Sequence, residues 1–378
     1  MERRQSALEE MVNPDPAFWR GRRVLVTGHT GFKGAWLCLW LNRLGAEVTG
    51  LAFEPATVPN LFSLAFKPGQ IRSIIGDIRD PETVGRSLGE AAPEVVFHLA
   101  AQALVIASYQ DPVGTYATNV MGTVNLLEAA RRSDSVRAIV IVTSDKCYRN
   151  REWVWAYREE EAMGGKDPYS SSKGCAELVT DAYRSSYFAE GQCHVGSVRA
   201  GNVIGGGDWS GNRLVPDLIR AFAKNASTEI RSPGAVRPWQ HVLEPLCGYI
   251  RVAECLASDA GHLYAEGWNF GPADEDCRPV SYVAERLSAG WGEGAAWHIS
   301  DRVHLPEATY LKVDAAKARA RLNWDRRLRI DAALDWTVRW YRQQLDGADA
   351  ALLTVDQIEA YENLQARPHA SHDVPGLR

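Results

Sequence analysis

Three glycines, Gly28, Gly31 and Gly34, are spaced G-x-x-G-x-x-G between an apolar run and a helical pattern. The run before them is Arg22–Thr27 (R-R-V-L-V-T), which reads as a buried strand. The segment after them, Gly34–Leu44, carries apolar residues at helical period, and Gly45 closes it as glycine often closes a helix. Glycine lets a backbone turn tightly and approach a pyrophosphate, while the helix N-terminus offers unpaired N–H groups and a partial positive charge. A glycine triplet alone is a weak signal; the strand before it and the helix after it supply the context a dinucleotide loop requires. The loop residues Gly28, Thr30, Gly31, Phe32, Lys33 and Gly34 are therefore the expected cofactor cradle.

The rest of the chain extends that beginning. Apolar runs at 48–53, 71–75, 95–99, 138–143 and 194–199 alternate with helical patterns at 81–88 and 114–131. Strands alternating with helices predict βαβ units and an α/β fold: a Rossmann-type, doubly wound parallel sheet. The expected dinucleotide domain covers 19–200. Near Gly201 the rhythm changes to longer loops rich in Pro, Trp and Arg, such as Gly205–Trp209 and Arg237–His241. A smaller C-terminal α/β substrate lobe is expected from 201–241 and 273–365, while 242–272, with a helix at 242–257 and a short strand at 268–270, returns to the first sheet. The last convincing helix is 331–344. Residues 1–18 read as a flexible leader and 366–378 as a disordered tail.

Composition narrows the class. With 378 residues, 46% hydrophobic, the chain can bury a large core. A net charge of −5 does not suggest a nucleic-acid partner. No apolar run approaches the roughly 20 residues that span a bilayer, and the first residues hold no apolar signal core, so a cytoplasmic protein without a membrane partner is expected. The seven cysteines are scattered without a C-x-x-C pair, which argues against a disulfide framework. The histidines show no metal-ligand spacing, and no metal site is expected.

The chemistry-bearing residues lie downstream of the loop. Tyr169 and Lys173, at i and i+4 in Asp-Pro-Tyr-Ser-Ser-Ser-Lys, project from one helix face, with Asp167 as its cap and Pro168 in its first position. A tyrosine beside an ammonium and a cationic nicotinamide should have a lowered pKa and can accept a hydroxyl proton as hydride leaves the same carbon. The run 138–143 ends in Ser144-Asp145-Lys146, at the strand end where open α/β sheets place ligands. Ser144 can bond the reacting oxygen, and Asp145 and Lys146 set an acid beside a base. Glu54 follows the second strand as a possible ribose partner, with no Lys or Arg beside it for a 2′-phosphate, so NAD is expected over NADP. Asp77-Ile78 could reach the adenine, Asp77 being otherwise a turn or cap residue.

At this point the chain resembles the extended short-chain dehydrogenases/reductases. The resemblance rests on Thr27–Gly34, Leu99-Ala100-Ala101-Gln102, Asn119-x-x-Gly122-Thr123 and Tyr169–Lys173, in order and spacing. It implies cofactor contacts from Leu99, Ala100, Ala101, Asn119, Tyr169 and Lys173. Within that family the longer strings 28–34, 143–148, 199–209 and 237–242 resemble the nucleotide-sugar 4,6-dehydratases, in particular the branch acting on CDP-glucose. That branch shares Asp145-Lys146, where related dehydratases carry Asp-Glu. The resemblance implies C4 oxidation, elimination of water across C5 and C6, and return of the hydride to C6, with Asp145 as acid; whether Lys146 or another group removes the C5 proton is open. A diphosphate-bearing substrate implies basic partners, for which Arg213 and Arg237 are candidates. Asn202 would lie near the sugar or its first phosphate; Trp239 and His241 would touch the sugar or nucleoside, the alternative being core packing. The resemblance also implies a homo-oligomer, a dimer or dimer of dimers, through helices 114–131 and 169–187. A nucleotide-sugar 4-epimerase is the nearest alternative, and a non-catalytic NAD-binding sensor a remote one.

Overall fold

The computed structural model describes residues 13–301 and 309–364. Most of the expected leader and nearly all of the expected tail lie outside these residues. Just inside, a short helix at Pro16–Trp19 buries Trp19, whose indole N–H donates to Glu254 at 2.8 Å.

Seven parallel strands form one sheet: β1 (Arg23–Thr27), β2 (Glu47–Ala52), β3 (Arg72–Ile75), β4 (Val95–His98), β5 (Ala138–Val142), β6 (His194–Ala200) and β7 (Gly267–Phe270). Their order is β7-β6-β5-β4-β1-β2-β3. The order reverses between β1 and β4, which opens a crevice above the carboxyl ends of those two strands. In register, Thr27 pairs with His98 and with Leu51, so the loops that follow β1, β2 and β4 emerge side by side.

The strands are apolar on both faces, as a parallel sheet covered on both sides requires. Val24, Val26, Val95, Phe97 and Val140 point to one face, against α1 (Phe32–Arg43) and α5 (Leu243–Leu256). Leu25, Leu51, Val96, Ile139 and Ile141 point to the other, against α2 (Pro81–Ala91), α3 (Gly122–Ala130) and α4 (Pro168–Tyr187). The helix expected at 114–131 is three contiguous pieces: Pro112–Tyr116, a π-helical turn Ala117–Met121, and α3.

The later part of the chain holds three two-stranded ribbons. Val203–Ile204 pairs in parallel with Gln240–His241, Val236–Pro238 antiparallel with Cys277–Pro279, and Ser227–Ile230 in parallel with Ala296–Ile299. Gly267–Phe270 (β7) is the outer strand of the main sheet, beside β6. The helix expected at 331–344 is α6 (Ile330–Leu345), but it is not the last one. A further helix, α7 (Ala350–Glu362), follows, with Asp349 accepting from the N–H groups of Ala351 and Leu352. Its buried stripe includes Thr354, and Leu352 faces solvent at 63% exposure, so the apolar period is blurred in the sequence.

Candidate active site

The glycine loop has the shape its spacing predicts. Gly28 adopts φ +78°, and a Cβ there would lie 2.7 Å from the Ala100 nitrogen. A Cβ on Gly34 would lie 2.1 Å from the Gly28 carbonyl oxygen, so the first turn of α1 can approach β1 only without a side chain. Gly31 caps α1 with no side-chain bond to its first N–H groups. Three glycines bare the backbone, and an uncapped helix end faces the switch point, which fits the diphosphate of a dinucleotide. The loop is braced from below: Thr27 Oγ1 bonds His98 Nδ1 at 2.7 Å, and the Ala100 N–H donates to the same hydroxyl at 3.2 Å. Thr30 Oγ1 donates to the Phe53 carbonyl at 2.9 Å, tying the loop to the end of β2.

Leu99, Ala100 and Ala101 form the loop after β4, packed against Gly28. Asn119 occupies the π-helical turn, buried, with its amide donating to Ser172 Oγ at 2.8 Å and its oxygen accepting the Gln102 N–H at 2.8 Å. A π-turn is a common means of re-aiming one side chain at a functional site, and here it ties the loop after β4 to α4. On the far side, Glu54 is exposed just past β2. Asp77 accepts from the Arg79 N–H and guanidinium, at 2.9 Å and 2.7 Å, and Arg79 holds its carboxyl below the usual range. Arg79 lies 5.8 Å from the Phe53 ring centroid, close to the end of β2, a proximity the sequence neighbours of Glu54 do not reveal. Its charge is met by Asp77. Ile78 is buried against Gly122.

The residues expected to handle protons come from α4 and the turn after β5. Asp167 caps α4, accepting the Ser170 N–H at 2.9 Å, and Pro168 occupies the first turn, as expected. Tyr169 and Lys173 are both buried on the inward face of this helix, and Lys173 donates its ammonium to the Val142 carbonyl at 3.2 Å. Ser144 follows β5 and its hydroxyl donates to Asp145 Oδ1 at 2.9 Å. Asp145 is 1% exposed, and its Oδ2 has no hydrogen-bond partner in the protein. That oxygen would be 3.0 Å from a Cβ on Gly201, so the glycine after β6 makes room for the carboxyl. Lys146 is half-buried beside it, in the same short helical turn.

Electrostatics differ from expectation in one respect. Burial pushes the Tyr169 phenol up to about 12, while the nearby Ser144 hydroxyl and the charge of Arg213 pull it back. The protein alone therefore keeps Tyr169 protonated: desolvation outweighs the nearby cations, and Lys173 is not among the charges that lower it. Burial lowers Lys173 to about 8, opposed by Glu177 and Cys147. Lys33, in α1, is lowered to about 7 by burial and by repulsion from Arg213 and Lys173, against the attraction of Asp145 and Asp208. Lys33, Asp145, Lys173 and Arg213 thus share one charge cluster, with Asp145 and Lys173 buried and Lys33 and Arg213 partly exposed.

The expected substrate residues separate into two groups. Arg213 belongs to the cluster, half-buried and 3.0 Å from Asp208. Asn202 follows β6 near Asp145, its carbonyl accepting the Gln240 N–H at 3.0 Å. Arg237 is buried in the second ribbon, one guanidinium nitrogen on the Val236 carbonyl at 3.0 Å. His241 and Trp239, expected either to touch the sugar or nucleoside or to pack in the core, are both buried. His241 is 0% exposed, wedged between Trp36 and Trp336 with ring centroids 5.8 Å away on either side. Trp239 is 4% exposed, and its indole donates to the Arg278 carbonyl at 2.9 Å. Trp239 joins the main apolar cluster, and His241 packs against Trp336 of α6. Sequence reasoning missed Tyr249 of α5, whose buried hydroxyl lacks a protein partner and whose ring centroid is 5.9 Å from the Lys33 ammonium.

A parallel sheet, a glycine cradle at its switch point and a Ser-Tyr-Lys set define a dinucleotide-dependent enzyme acting on a hydroxyl-bearing substrate. The chain belongs to the NAD dependent epimerase/dehydratase family, whose description matches residues 24–265. It is 50% identical to the CDP-glucose 4,6-dehydratase of Salmonella typhimurium over 358 residues, 93% of this chain and 99% of that one. It is 27% identical to the UDP-glucose 4-epimerase of Mycolicibacterium smegmatis, across 85% of this chain and 99% of that one. Among solved structures, the epimerase Mth375 of Methanothermobacter thermautotrophicus superposes with a TM-score of 0.78 at 22% identity, covering 89% of this chain and 96% of that one. The dTDP-glucose 4,6-dehydratase DesIV of Streptomyces venezuelae, with NAD and TYD bound, superposes with a TM-score of 0.69 at 23% identity, covering 86% and 98%. No helix among the described residues is long and apolar enough to cross a membrane.

Proposed function

We propose that this chain converts CDP-glucose to CDP-4-dehydro-6-deoxyglucose and water. The observation that carries the reading is Asp145: a buried carboxyl with one oxygen bonded to Ser144 and the other without a partner among the described residues, close enough to Tyr169 to raise its phenol. An enzyme that only oxidises needs Ser144, Tyr169 and Lys173. One that also expels water needs an acid on the same face, and Asp145 supplies it. The 50% identity to a CDP-glucose 4,6-dehydratase supports the base and the sugar.

In this reading Gly28, Thr30, Gly31, Phe32, Lys33, Gly34, Asp77, Ile78, Leu99, Ala100, Ala101 and Asn119 line the cofactor site. NAD bound there would supply the hydride acceptor for C4 oxidation and the hydride for reduction at C6. Tyr169 accepts the C4 hydroxyl proton, with Ser144 holding the same oxygen and Lys173 placing a positive charge behind the phenolate. Asp145 then donates its proton to the departing C6 hydroxyl, and Lys146 stands beside it as a candidate acceptor of the C5 proton, a proton being returned to C5 as hydride reaches C6. Arg213, Arg237 and Asn202 ring the substrate side, where guanidinium groups suit a diphosphate. The atoms balance as the loss of one water, with no net oxidation.

The test is incubation of the purified protein with CDP-glucose, and separately with UDP- and dTDP-glucose, without added oxidant or reductant. A new methyl doublet in the proton NMR spectrum is expected with CDP-glucose. A product with inverted C4 and no methyl signal would make the chain an epimerase, and a requirement for stoichiometric reductant would overturn the mechanism.

We also propose a homodimer, assembled through the helical stretch 112–130 and α4. Val113 and Met121 on the first, and Leu178 and Tyr187 on the second, are 79%, 51%, 60% and 58% exposed. Light scattering should give twice the mass of the chain, and Leu178→Glu should lower it toward a monomer; a wild-type monomer would refute this. A cytoplasmic setting suits the seven unpaired cysteines.

A further inference from the structure

Beneath the proposed catalytic residues lies a buried polar network that the mechanism above does not use. Glu177 is one helical turn beyond Lys173 on α4 and is 4% exposed. One of its carboxylate oxygens accepts the Thr143 hydroxyl. The other accepts the Ser197 hydroxyl at 2.6 Å and the Arg199 guanidinium at 2.8 Å. Arg199, on β6, is 5% exposed, and its other nitrogen donates to Tyr148 Oη at 2.8 Å and to the Glu159 carbonyl at 2.9 Å. Tyr148 Oη in turn donates to Asn269 of β7 at 2.7 Å. The network joins β5, β6, β7 and α4 immediately below Ser144 and Lys173.

A charged pair so placed is a poor source of stability. Desolvating two ions offsets much of their attraction, and an apolar pair of like volume often serves as well. The position of this one supplies a different reason for it. Thr143 directly precedes Ser144, so the bond from its hydroxyl to Glu177 fixes the residue that presents the serine. Lys173 is enclosed, and burial works against its charge. The groups facing it are Tyr169 and Glu177 on its own helix, Cys147 after β5, His98 of β4 and Lys33 of α1. Of these, Glu177 is the strongest influence in favour of the ammonium. Burial alone would raise the Glu177 carboxyl, but Arg199, Ser197 and Thr143 hold it below the usual carboxylate range, so it is an anion at every working pH.

We propose that Glu177, held by Arg199, is a positioning residue for this chemistry: through Thr143 it fixes the backbone that presents Ser144, and through its charge it keeps Lys173 an ammonium. The inference rests on the roles given above to Ser144 and Lys173. The two halves of the device are separable, because Thr143 acts by geometry and the carboxylate also acts by charge.

Three variants test it: Glu177→Gln, Thr143→Val and Thr143→Ser. The first readout does not need turnover. In protein carrying [13Cε]lysine, the Lys173 resonance, assigned with Lys173→Arg, is followed against pH by NMR. The Glu177→Gln variant should titrate about one unit lower than wild type, as expected for losing one opposite charge at close range. Thr143→Val should titrate with wild type. The second readout is the pH profile of kcat/KM with CDP-glucose, where the alkaline limb of Glu177→Gln should move down with the resonance. Thr143→Val should lose roughly ten- to a hundredfold in kcat with little change in KM, as a displaced group does, and Thr143→Ser should restore it. A purely packing role would lower the melting temperature and leave both titrations in place, which would overturn the proposal. So would full activity in Thr143→Val. If Glu177→Gln does not fold, as judged by circular dichroism, the two threonine variants decide. If wild type leaves CDP-glucose untouched, the reading of function fails, while the lysine titration still judges Glu177.

Discussion

In the proposed mechanism, Asp145 is the residue that separates an elimination from a simple oxidation. It is buried, its Oδ1 accepts the Ser144 hydroxyl at 2.9 Å, and its Oδ2 waits without a protein partner against the space left by Gly201. Asparagine keeps the shape and removes the proton that the leaving hydroxyl requires. Oxidation at C4, which uses Ser144, Tyr169 and Lys173, should survive the change, while loss of water should not. Asp145→Asn should therefore reduce kcat by about 10²–10⁴, the usual contribution of a general acid. Stopped-flow absorbance should show reduced nicotinamide accumulating during a single turnover. Turnover at the wild-type rate, or loss of activity without that transient, would remove Asp145 from the acid role. Tyr169 adds a pH argument at the same scale. Its phenol is pushed up to about 12 by burial, so in the protein alone it is protonated through the neutral range. In the proposed mechanism its conversion to a base draws on the charge of the bound cofactor, the nicotinamide contribution that the sequence reading already set beside the lysine.

The elements nearest the cofactor were the most legible in the sequence, and the reason is physical. A parallel strand buried on both faces must be apolar along its whole length, so β1, β4 and β5 stand out as Val, Leu, Ile and Phe runs. Asp167-Pro168 marks the start of α4 because a cap and a proline act locally. The three ribbons of the second lobe are two to four residues per strand and pair across long sequence separations, so no local period reveals them. The choice left open for His241 and Trp239 was illegible for the same reason: only tertiary packing with α6 and its neighbours buries them. The glycine loop permits a contrast between two positions that look equivalent in the sequence. A Cβ at Gly34 would meet the Gly28 carbonyl oxygen at 2.1 Å, and backbone cannot yield as a flexible side chain can. A Cβ at Gly31 would meet the same atom at 3.4 Å. Gly34→Ala should destabilise by about 2–4 kcal/mol and abolish measurable NAD binding by calorimetry, since the clash forces α1 away from β1. Gly31→Ala should cost about 1 kcal/mol or less and leave NAD binding within a few-fold. Equal damage from the two would mean that close helix–strand approach is not what Gly34 provides.

At the scale of the molecule, the C-terminal helices pack against helices that flank the sheet, and one carboxyl ties the two together. Glu244, at the start of α5 and 1% exposed, accepts the N–H groups of Arg327 and Leu328 on one oxygen, at 2.9 Å and 2.7 Å. Its other oxygen accepts the Tyr361 hydroxyl of α7 at 2.9 Å. Helix α7 lies across α1, with Arg43 paired to Glu359 at 2.6 Å, so the same clamp supports the helix that carries the glycine loop. Burial raises the Glu244 carboxyl to about 7, against the two backbone N–H groups, the Tyr361 hydroxyl and the Arg327 charge that lower it. A carboxyl raised in the folded state favours folding when it is protonated. Its contribution is fully present below about 4.5, where both states hold the proton, and is lost as pH rises through about 7. The loss is on the order of 3 kcal/mol above pH 7, from the difference between the two values. Glutamine at this position has the same shape, can accept the two backbone bonds with its oxygen and can offer its amide to Tyr361, and it does not titrate. Urea midpoints of wild type and Glu244→Gln should therefore lie close together at pH 5 and separate at pH 8, with the variant the more stable. Parallel curves across that range would mean that Glu244 is ionised in the folded protein, its charge balanced by Arg327, and that the clamp between α5 and α7 is an ion pair rather than a neutral hydrogen-bonded acid.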